Sequence, residues 1–581
     1  MGDFISITGQ GIVCAIGNNA SEVLDSLRRR ESGIRRMRYL ESKHSELPVG
    51  EVQLSNGEMQ EMLGIEGSEP ISRTSLMGAL AVRQALRQSG LENLSGRRVT
   101  VISGTTVGDM DVTEKFYERM KTDDSLLHLP HSNECGRSTE EIASLSGLEG
   151  AEVCTVSTAC SSALNAIILG AGMLMRDETD IVIAGGSESL SRFHLNGFNS
   201  LMILDRERCR PFDDTRAGLN LGEGAAFVVM QKNVPDALAY VAGYGNRCDA
   251  YHQTASSENG EGAFLAMSDA LKMARLSPDD VDYVNAHGTG TPNNDRSESR
   301  ALQRVFCGRM PEISSTKAFT GHTTSSSGSI ETVICILSMM YDFTPANLGW
   351  KTAISGGIVP TAGSDNVALN NVMCNSFGFG GNDSSLILSR KPVCHMVETG
   401  NDDVEVAARD TVKSEEELSQ LRQFVSPMES RRMGKLMKAS LLSSFRALQS
   451  AQTGCPDAIV TATSRGMLET SQQFLDDINA NDEQLLKPTL FMQSTHNTVG
   501  SAIAIRTSCH GYNITYSQGE DSSSWALRDA RRLISSGKAS SVLVCIFDES
   551  TPVFDSFAQR SGSPVPDSLQ VSSIILKRGG K

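Results

Sequence analysis

The stretch "CTVSTACSSALNAIILGAGMLM", residues 154–175, decides the fold. Its first residues predict a buried strand, and its long apolar end predicts a helix. Cys160 lies on the turn between them, beside small residues that permit a sharp bend and close approach of a substrate. Free N–H groups at a helix N-terminus favour a thiolate, the form that attacks a thioester carbonyl. On its own, a cysteine at such a place is most often an inert buried residue.

Composition narrows the class of protein. The chain has 581 residues, 39% of them hydrophobic and 21% charged, which is typical of a globular enzyme with several domains. A net charge of −16 argues against a nucleic-acid partner. The 13 cysteines never form a C-x-x-C pair, which argues against a zinc site or a disulfide framework and favours a reducing compartment. No apolar run is long enough to cross a bilayer, so we expect a cytoplasmic protein without a membrane span.

Alternating strand and helix patterns continue on both sides of this stretch. Apolar strands such as "VTVISGT" (99–105), "IVIAGGSES" (181–189) and "AAFVVMQK" (225–232) are separated by helical runs. Such alternation predicts an α/β fold with buried sheets.

Three later segments strengthen the case for an active site around Cys160. "VNAHGTGTPNND" (284–295) places a histidine in a turn of glycine and threonine, directly after a strand. "SSTKAFTGHTTSSSGSIET" (314–332) carries a lysine, a second histidine and a glutamate around another turn. "NSFGFGGND" (375–383) has two phenylalanines framed by glycines, as expected of a mobile loop. Each segment alone is weak, but the combination in this order predicts catalysis.

These segments, with "ITGQGIVCAIGNN" (7–19), "CRPFDDTRAGLNLGEGAAFVVM" (209–230) and "CDAYHQTASSENGEGAFLAM" (248–267), resemble a β-ketoacyl-[acyl carrier protein] synthase of the decarboxylating Cys-His-His type. The resemblance covers essentially residues 4–390. It implies a thiolase-like fold with α-β-α-β-α layers and two related halves, about 1–235 and 236–392. It also implies an acyltransferase that extends an acyl chain by two carbons through decarboxylative Claisen condensation with a malonyl carrier protein.

The resemblance assigns the catalytic roles by position. Cys160 would accept the acyl group, and His287 and His322 would stabilise the enolate that loss of CO₂ leaves behind. Lys317 would support the histidines electrostatically, with Glu331 as its partner. Two neutral imidazoles suffice as donors to enolate oxygen, so no metal or organic cofactor is expected.

Other roles follow from the same resemblance. The oxyanion hole would be the N–H groups of Cys160 and Phe379, and the loop of Phe379 and Gly380 would gate the pocket. The remaining implied positions are Thr289 and Thr291 for the phosphopantetheine arm, Asp249 in a loop that moves with the gate, Val107 and Phe198 for the acyl pocket, and Arg73, Arg206 and Arg208 for docking an acidic carrier protein. For the arginines, ordinary solvated surface charge is an equal alternative.

The resemblance leaves several partners and pathways open. The expected partners are an acyl carrier protein and a second ketosynthase-type subunit, in a homodimer or heterodimer. The pathway is fatty acid, aryl-polyene or polyketide synthesis. One alternative is a non-catalytic chain-length or assembly subunit. Another is a biosynthetic thiolase, which needs a second cysteine near the glycine loop, where Cys374 lies.

The tail predicts a partial second copy. Residues 393–427 form an acidic linker in this interpretation, and 428–581 repeat the strand-turn-helix pattern of the first half. A frame of 361 residues pairs Cys160 with Asp521, and a carboxylate cannot carry a transferable thioester. The tail therefore resembles a catalytically silent, chain-length-factor-like half ketosynthase, although separate chemistry at Asp521 and residues 522–524 is an alternative. Because an isolated half-fold exposes apolar faces, we expect it to pack on a partner surface, in the same chain or another.

Overall fold

The computed structural model describes residues 2–67, 69–91, 94–129, 133–395 and 403–579. The strands are β1 (Ile5–Cys14), β2 (Val99–Gly104), β3 (Glu152–Val156), β4 (Ile181–Glu188), β5 (Gly224–Lys232), β6 (Ala239–Cys248), β7 (Tyr283–Asn285), β8 (Glu312–Ser314), β9 (Phe343–Thr344), β10 (Ser364–Asp365), β11 (Asn371–Gly378), β12 (Asn382–Ser389), β13 (Val404–Val412), β14 (Ala458–Ala462), β15 (Tyr512–Tyr516), β16 (Ser541–Glu549) and β17 (Leu569–Arg578).

The α-helices are α1 (Ala20–Arg29), α2 (Asn56–Leu63), α3 (Arg73–Ser89), α4 (Met110–Met120), α5 (Gly136–Leu145), α6 (Ser162–Met175), α7 (Arg192–Ser200), α8 (Glu261–Ala274), α9 (Pro292–Val305), α10 (Lys317–Thr320), α11 (Ser327–Tyr341), α12 (Pro427–Ser430), α13 (Lys435–Ser450), α14 (Leu468–Ala480), α15 (Pro488–Ser494), α16 (Thr498–Thr507), α17 (Ser522–Ser535) and α18 (Pro552–Ser561). Among the helices of the described ranges, none combines the length and apolar character that crossing a membrane requires.

In the described part of the chain, 15 strands form one continuous sheet in the order β13-β17-β16-β14-β15-β3-β2-β4-β5-β1-β6-β12-β11-β7-β8. This sheet consists of three groups of five strands with one internal pattern. In each group three strands run parallel and two further strands continue antiparallel, as in β3-β2-β4-β5-β1, β8-β7-β11-β12-β6 and β15-β14-β16-β17-β13. The predicted two related halves and the additional C-terminal half are confirmed.

The first two groups form the predicted layers. Helix α3 packs on the outer face of the first group, against β1 and β5, and α8 packs on the outer face of the second group, against β6 and β12. Helices α6 and α11 lie between the two groups and contact each other. Both central helices are apolar on almost every side, which is the composition expected of a helix buried all round.

The acidic segment is not a linker over its described length. Strand β13 lies inside the predicted linker 393–427 and pairs antiparallel with β17, and residues 415–423 form a 3₁₀-helix. We therefore count residues 403–579 as the C-terminal domain; residues 396–402 lie outside the described ranges. The reason for the error is that β13 is an edge strand with mostly exposed side chains, and edge strands carry charges that discourage further pairing.

The repeat frame is 360 residues, not 361. Strands β3 and β15 begin at 152 and 512, and helices α6 and α17 begin at 162 and 522, each 360 residues apart. The left-handed turn residues Ala159 and Gly519 obey the same spacing. The residue that corresponds to Cys160 is therefore the exposed Glu520 rather than Asp521. The conclusion that the second turn has a carboxylate in place of the thiol is unchanged.

The C-terminal domain packs on the first half of the same chain through a seam between β3 and β15. The Ser157 N–H donates to the Thr515 carbonyl at 2.9 Å, and the Ser517 N–H donates to the Thr155 carbonyl at 3.0 Å. Next to the seam, the indole Nε1 of Trp525 donates to a carbonyl of β3 at 3.1 Å. The expectation that the half-fold covers an apolar face on a partner surface is met within the chain.

Helix α17 differs from its counterpart α6 in what covers it. Its counterpart α6 is covered by α11, whereas the C-terminal domain has no equivalent of α11 in the described ranges. Arginines replace apolar residues on this helix: Arg528 and Arg532 both bond to Glu178 of the first half, at 3.0 and 2.6 Å. Charged side chains thus bind this helix to the first half at positions that are apolar in the first copy.

We predict that Trp525→Ala destabilises the whole chain by about 3–5 kcal/mol, because it leaves a cavity at a seam where the indole is only 5% exposed. Chemical denaturation followed by circular dichroism measures this. Met428→Ala, at a side chain that is 83% exposed, is the control and changes the free energy of unfolding by less than about 0.5 kcal/mol. If Trp525→Ala lowers the free energy of unfolding by less than about 1 kcal/mol, the contact between the two domains does not stabilise the chain as we expect.

Candidate active site

The turn that presents Cys160 is built by its small neighbours. Ala159 has a left-handed backbone with φ of 52°, an uncommon conformation for a residue with a side chain. The Ser162 hydroxyl stabilises the turn, since it accepts from the Thr158 N–H at 2.8 Å and donates to the Ala159 carbonyl at 2.6 Å. The thiol of Cys160 follows directly, two residues before α6 begins, as the sequence predicted.

Burial decides the protonation of this thiol. Cys160 is 5% exposed, and burial raises the pKa of its thiol to about 11. The charge of Lys317 and the N–H groups of Phe379 and Cys160 oppose that rise without cancelling it. Burial therefore opposes the thiolate that the helix N-terminus favours. At neutral pH the thiol keeps its proton and needs a base.

His322 is placed to be that base. Its Nε2 lies 3.1 Å from the Cys160 Sγ, and its Nδ1 lies 2.9 Å from the Ser327 hydroxyl. Burial, reinforced by the charge of Lys317, lowers the pKa of His322 well below its usual value. The ring is neutral at neutral pH and can accept a proton at Nε2. Because a hydroxyl both donates and accepts, Ser327 accommodates either ring tautomer.

His287 has a defined tautomer. Its Nδ1 lies 3.4 Å from the Nζ of Lys317, which in turn lies 2.6 Å from an oxygen of Glu331. A lysine ammonium only donates, so Nδ1 accepts and Nε2 carries the ring proton. Burial lowers the pKa of His287 well below its usual value. Burial also raises the pKa of the Glu331 carboxyl, and Lys317 opposes that rise.

These groups form one cluster. The rings of His287 and His322 lie 5.4 Å apart at 83°, and His322 also contacts the Cys160 thiol. Lys317 is 1% exposed, so its charge acts in a poorly screened environment. The structure brings together all four residues that the sequence singled out for catalysis.

The gate loop, residues 379–381, is the turn between β11 and β12. The Phe379 N–H approaches the Cys160 sulfur, as does the N–H of Cys160 itself. Gly380 has a φ of 88°, a backbone conformation that favours glycine. Asp249 lies on the neighbouring loop, where its N–H donates to the Gly381 carbonyl at 2.8 Å and its carboxylate accepts from Ser257. The predicted neighbours of the gate are thus in contact with it.

An aromatic cluster continues from the gate into the protein. The ring of Phe198 stacks on Phe379, with centroids 5.7 Å apart, and Val107 belongs to the same buried cluster. Phe491, from the C-terminal domain, packs on Phe198 at 5.2 Å. A Cβ added at Gly197 would lie 2.1 Å from the Phe491 ring, so the contact is close. The C-terminal domain therefore contributes Phe491 to the buried cluster that contains the residues predicted to line the acyl pocket.

The residues predicted to contact the phosphopantetheine arm and the carrier protein differ in how exposed they are. The hydroxyls of Thr289 and Thr291 lie 2.9 Å apart on the turn after His287. Arg206 and Arg208 are exposed, as a docking site requires. Arg73 is not a docking cation: it is 7% exposed and pairs with Glu223 at 2.7 Å. Its charge is neutralised inside the fold, by a carboxylate 150 residues away.

Family comparisons agree with this geometry. Models described as the N-terminal and C-terminal domains of β-ketoacyl synthase match residues 3–235 and 238–351. A further β-ketoacyl synthase N-terminal domain model matches residues 405–577. The chain belongs to the β-ketoacyl synthase family. The second N-terminal match coincides with the C-terminal domain.

Similar proteins include the 3-oxoacyl-[acyl-carrier-protein] synthase 2 of Coxiella burnetii, 31% identical over 413 residues, with 66% of this chain and 98% of the relative covered. The protein of that name from Vibrio cholerae is 28% identical over 411 residues, with 66% and 99% covered. Among solved structures, the ketosynthase ApeO in complex with its chain length factor ApeC from Xenorhabdus doucetiae is 29% identical at a TM-score of 0.57, with 67% and 98% covered. The structure titled PfaC keto synthase-chain length factor covers 100% of this chain and 78% of its own at a TM-score of 0.81; at 16% identity it shows the fold alone.

Several residues of the synthase site escaped the sequence analysis. Ser327 faces His322, Glu298 accepts the N–H groups of His287 and Gly288, and Phe491 reaches the pocket from the other domain. Ser327 lies in a serine-rich turn, and this was the only feature of the sequence that pointed to it. Phe491 had no such feature, because its contact depends on how the two domains meet.

The thiol pKa predicts a pH dependence. Because the pKa of Cys160 is raised to about 11, the thiolate fraction, and with it the alkylation rate by iodoacetamide, still rises from pH 8 to pH 10. Peptide mass spectrometry follows Cys160, with the exposed Cys307 as the internal reference. A rate at Cys160 that reaches its plateau below pH 8 contradicts a protonated resting thiol.

Proposed function

We propose that this synthase extends an acyl chain by two carbons, joining an acyl group on Cys160 to malonyl-[acyl carrier protein] with loss of CO₂. The observation that carries the proposal is the buried cluster in which His322 Nε2 lies 3.1 Å from the Cys160 Sγ, with Lys317 against His287. The names of its relatives as 3-oxoacyl-[acyl-carrier-protein] synthases agree with it.

Acyl transfer is the first step. The Cys160 thiol gives its proton to His322 Nε2, and the sulfur bonds to the carbonyl carbon of the incoming phosphopantetheine thioester. The N–H groups of Cys160 and Phe379 hold the resulting oxyanion. When the carbon–sulfur bond to the arm breaks, the departing thiolate takes the proton back from His322. The acyl chain then lies along Val107 and Phe198.

Condensation is the second step. The malonyl thioester loses CO₂, and the electron pair moves onto its carbonyl oxygen as an enolate. The Nε2–H of His287 donates to that oxygen, and His322 does the same in its Nε2–H tautomer, which Ser327 accommodates. The Lys317 charge favours the negative charge on the oxygen. The enolate carbon bonds to the acyl carbon, the bond to Cys160 breaks, and the freed thiolate takes up a proton from solvent.

The partner for both steps is an acyl carrier protein, with Thr289 and Thr291 holding the phosphopantetheine arm and Arg206 and Arg208 facing the carrier. Fatty acid, aryl-polyene and polyketide pathways all use this chemistry. The resemblance to a ketosynthase solved with a chain length factor favours the last two.

The alternative hypothesis, a non-catalytic chain-length subunit, applies to the C-terminal domain only. Its turn carries the exposed Glu520 in place of a cysteine, and it provides Phe491 to the pocket. We propose that it limits the length of the bound acyl chain. The complete Cys160, His287, His322 and Lys317 set argues against a chain that is silent throughout.

Two substitutions separate the steps. Cys160→Ala abolishes transfer of a radiolabelled acyl group from carrier protein to the synthase. His287→Ala retains transfer and lowers the condensation rate by about 100-fold or more, since it removes an enolate donor. Gel autoradiography and product chromatography measure the two steps. Condensation that survives Cys160→Ala places the chemistry elsewhere.

A third substitution tests the pocket wall. Phe491→Ala removes a ring that packs on Phe198, so we expect room for products longer by about two to four carbons. Product mass spectrometry gives the length distribution. Phe424→Ala is the matched control, because its ring packs on Phe445 of the same domain, and Phe424 belongs to a different buried cluster. An unchanged distribution for Phe491→Ala contradicts the wall.

A further inference from the structure

The gate loop is held by the C-terminal domain. Asn497 precedes α16, and its Nδ2 donates to the Phe379 carbonyl at 2.8 Å. Ser501, one turn further along α16, donates its hydroxyl to the Gly380 carbonyl at 2.9 Å. Both side chains are 1% exposed. Two consecutive carbonyls of the loop above Cys160 are therefore bonded to the other domain.

The loop that faces the gate, residues 249–260, is held at its start by the same domain. The His510 Nδ1 lies 3.0 Å from the Cys248 carbonyl, and the Cys248 N–H donates to the His510 carbonyl at 3.3 Å. The two loops also bond to each other, since the Gly380 N–H donates to the Gln253 carbonyl at 2.7 Å. Gate loop, facing loop and C-terminal domain form one connected hydrogen-bond system.

The contact between the gate loop and α16 is close, but one polar atom in it has no hydrogen-bond partner among the described residues. A Cβ added at Gly380 would lie 2.9 Å from the Asn497 Nδ2 and 3.0 Å from the Ser501 Cβ, so the loop lies flat against α16. The Asn497 Nδ2 also donates to the Asn382 Oδ1 at 2.7 Å, yet its own Oδ1 has no hydrogen-bond partner among the described residues.

We propose that Asn497 and Ser501 are positioning residues that hold the gate loop closed over Cys160, so that the C-terminal domain controls access to the thiol. The Phe379 N–H on the Cys160 sulfur and the Phe379 carbonyl on Asn497 belong to one residue. Opening the gate for an acyl chain breaks both contacts. The role in acyl loading rests on the proposed function; control of thiol access does not.

The test measures alkylation of Cys160 by iodoacetamide at fixed pH in the full chain, by peptide mass spectrometry, relative to the exposed Cys307. Asn497→Asp keeps the shape of the side chain but turns a carboxylate oxygen toward two acceptor oxygens. Ser501→Ala removes a single donor. We expect Ser501→Ala to raise the Cys160 rate by about fivefold, the effect of losing one net hydrogen bond. Asn497→Asp raises it by at least as much, because it loses the bonds to both Phe379 and Asn382.

Asn479→Ala is the matched control, since this asparagine of the same domain donates to Glu118 at 3.2 Å, away from the gate. It leaves the Cys160 rate unchanged. The proposal is overturned if neither gate variant changes the rate, or if Asn479→Ala raises it equally. Thermal melts identify a variant that has unfolded, in which case Ser501→Ala decides. Failure of acyl loading in the unmodified chain would contradict the proposed function alone.

Discussion

Two reciprocal backbone hydrogen bonds between β3 and β15 are the constraint on which the rest of this structure depends. They join Ser157 to Thr515 and Ser517 to Thr155, at 2.9 and 3.0 Å. They make one sheet of two domains, and they lie three residues before the catalytic cysteine. The C-terminal domain thereby places Phe491 against Phe198 and Asn497 against the Phe379 carbonyl. A domain with Glu520 at the position of Cys160 thus contacts the surroundings of that cysteine directly.

Burial is the dominant physical effect in the site. It raises the pKa of the Cys160 thiol and lowers the pKa values of His287 and His322, so the resting site holds a neutral thiol beside neutral imidazoles. Lys317 supplies the one cation of the described catalytic cluster and fixes the tautomer of His287. Neutral imidazoles beside the Lys317 ammonium suit a reaction whose intermediates carry one negatively charged oxygen.

The sequence predicts what is local and misses what is long-range. The strand-turn-helix around Cys160, the two histidine turns and the gate loop are short motifs whose residues build their own geometry, and the structure brings them together. Arg73 was misassigned because its partner Glu223 lies far along the chain. Strand β13 was read as a linker because an edge strand is polar. The frame that selected Asp521 was one residue off, since few identities anchor a diverged repeat and only backbone geometry points to Glu520.

The central claim is that acyl-Cys160 is an intermediate in carbon–carbon bond formation. A single-turnover experiment tests it most directly: the full chain is acylated from carrier protein, freed of that carrier and mixed with malonyl carrier protein, while intact-mass spectrometry follows both proteins. The account predicts that the acyl group leaves Cys160 and appears on the carrier as a β-ketoacyl chain two carbons longer, with one CO₂ released per chain. An acyl group that stays on Cys160 while malonyl groups lose CO₂ contradicts it.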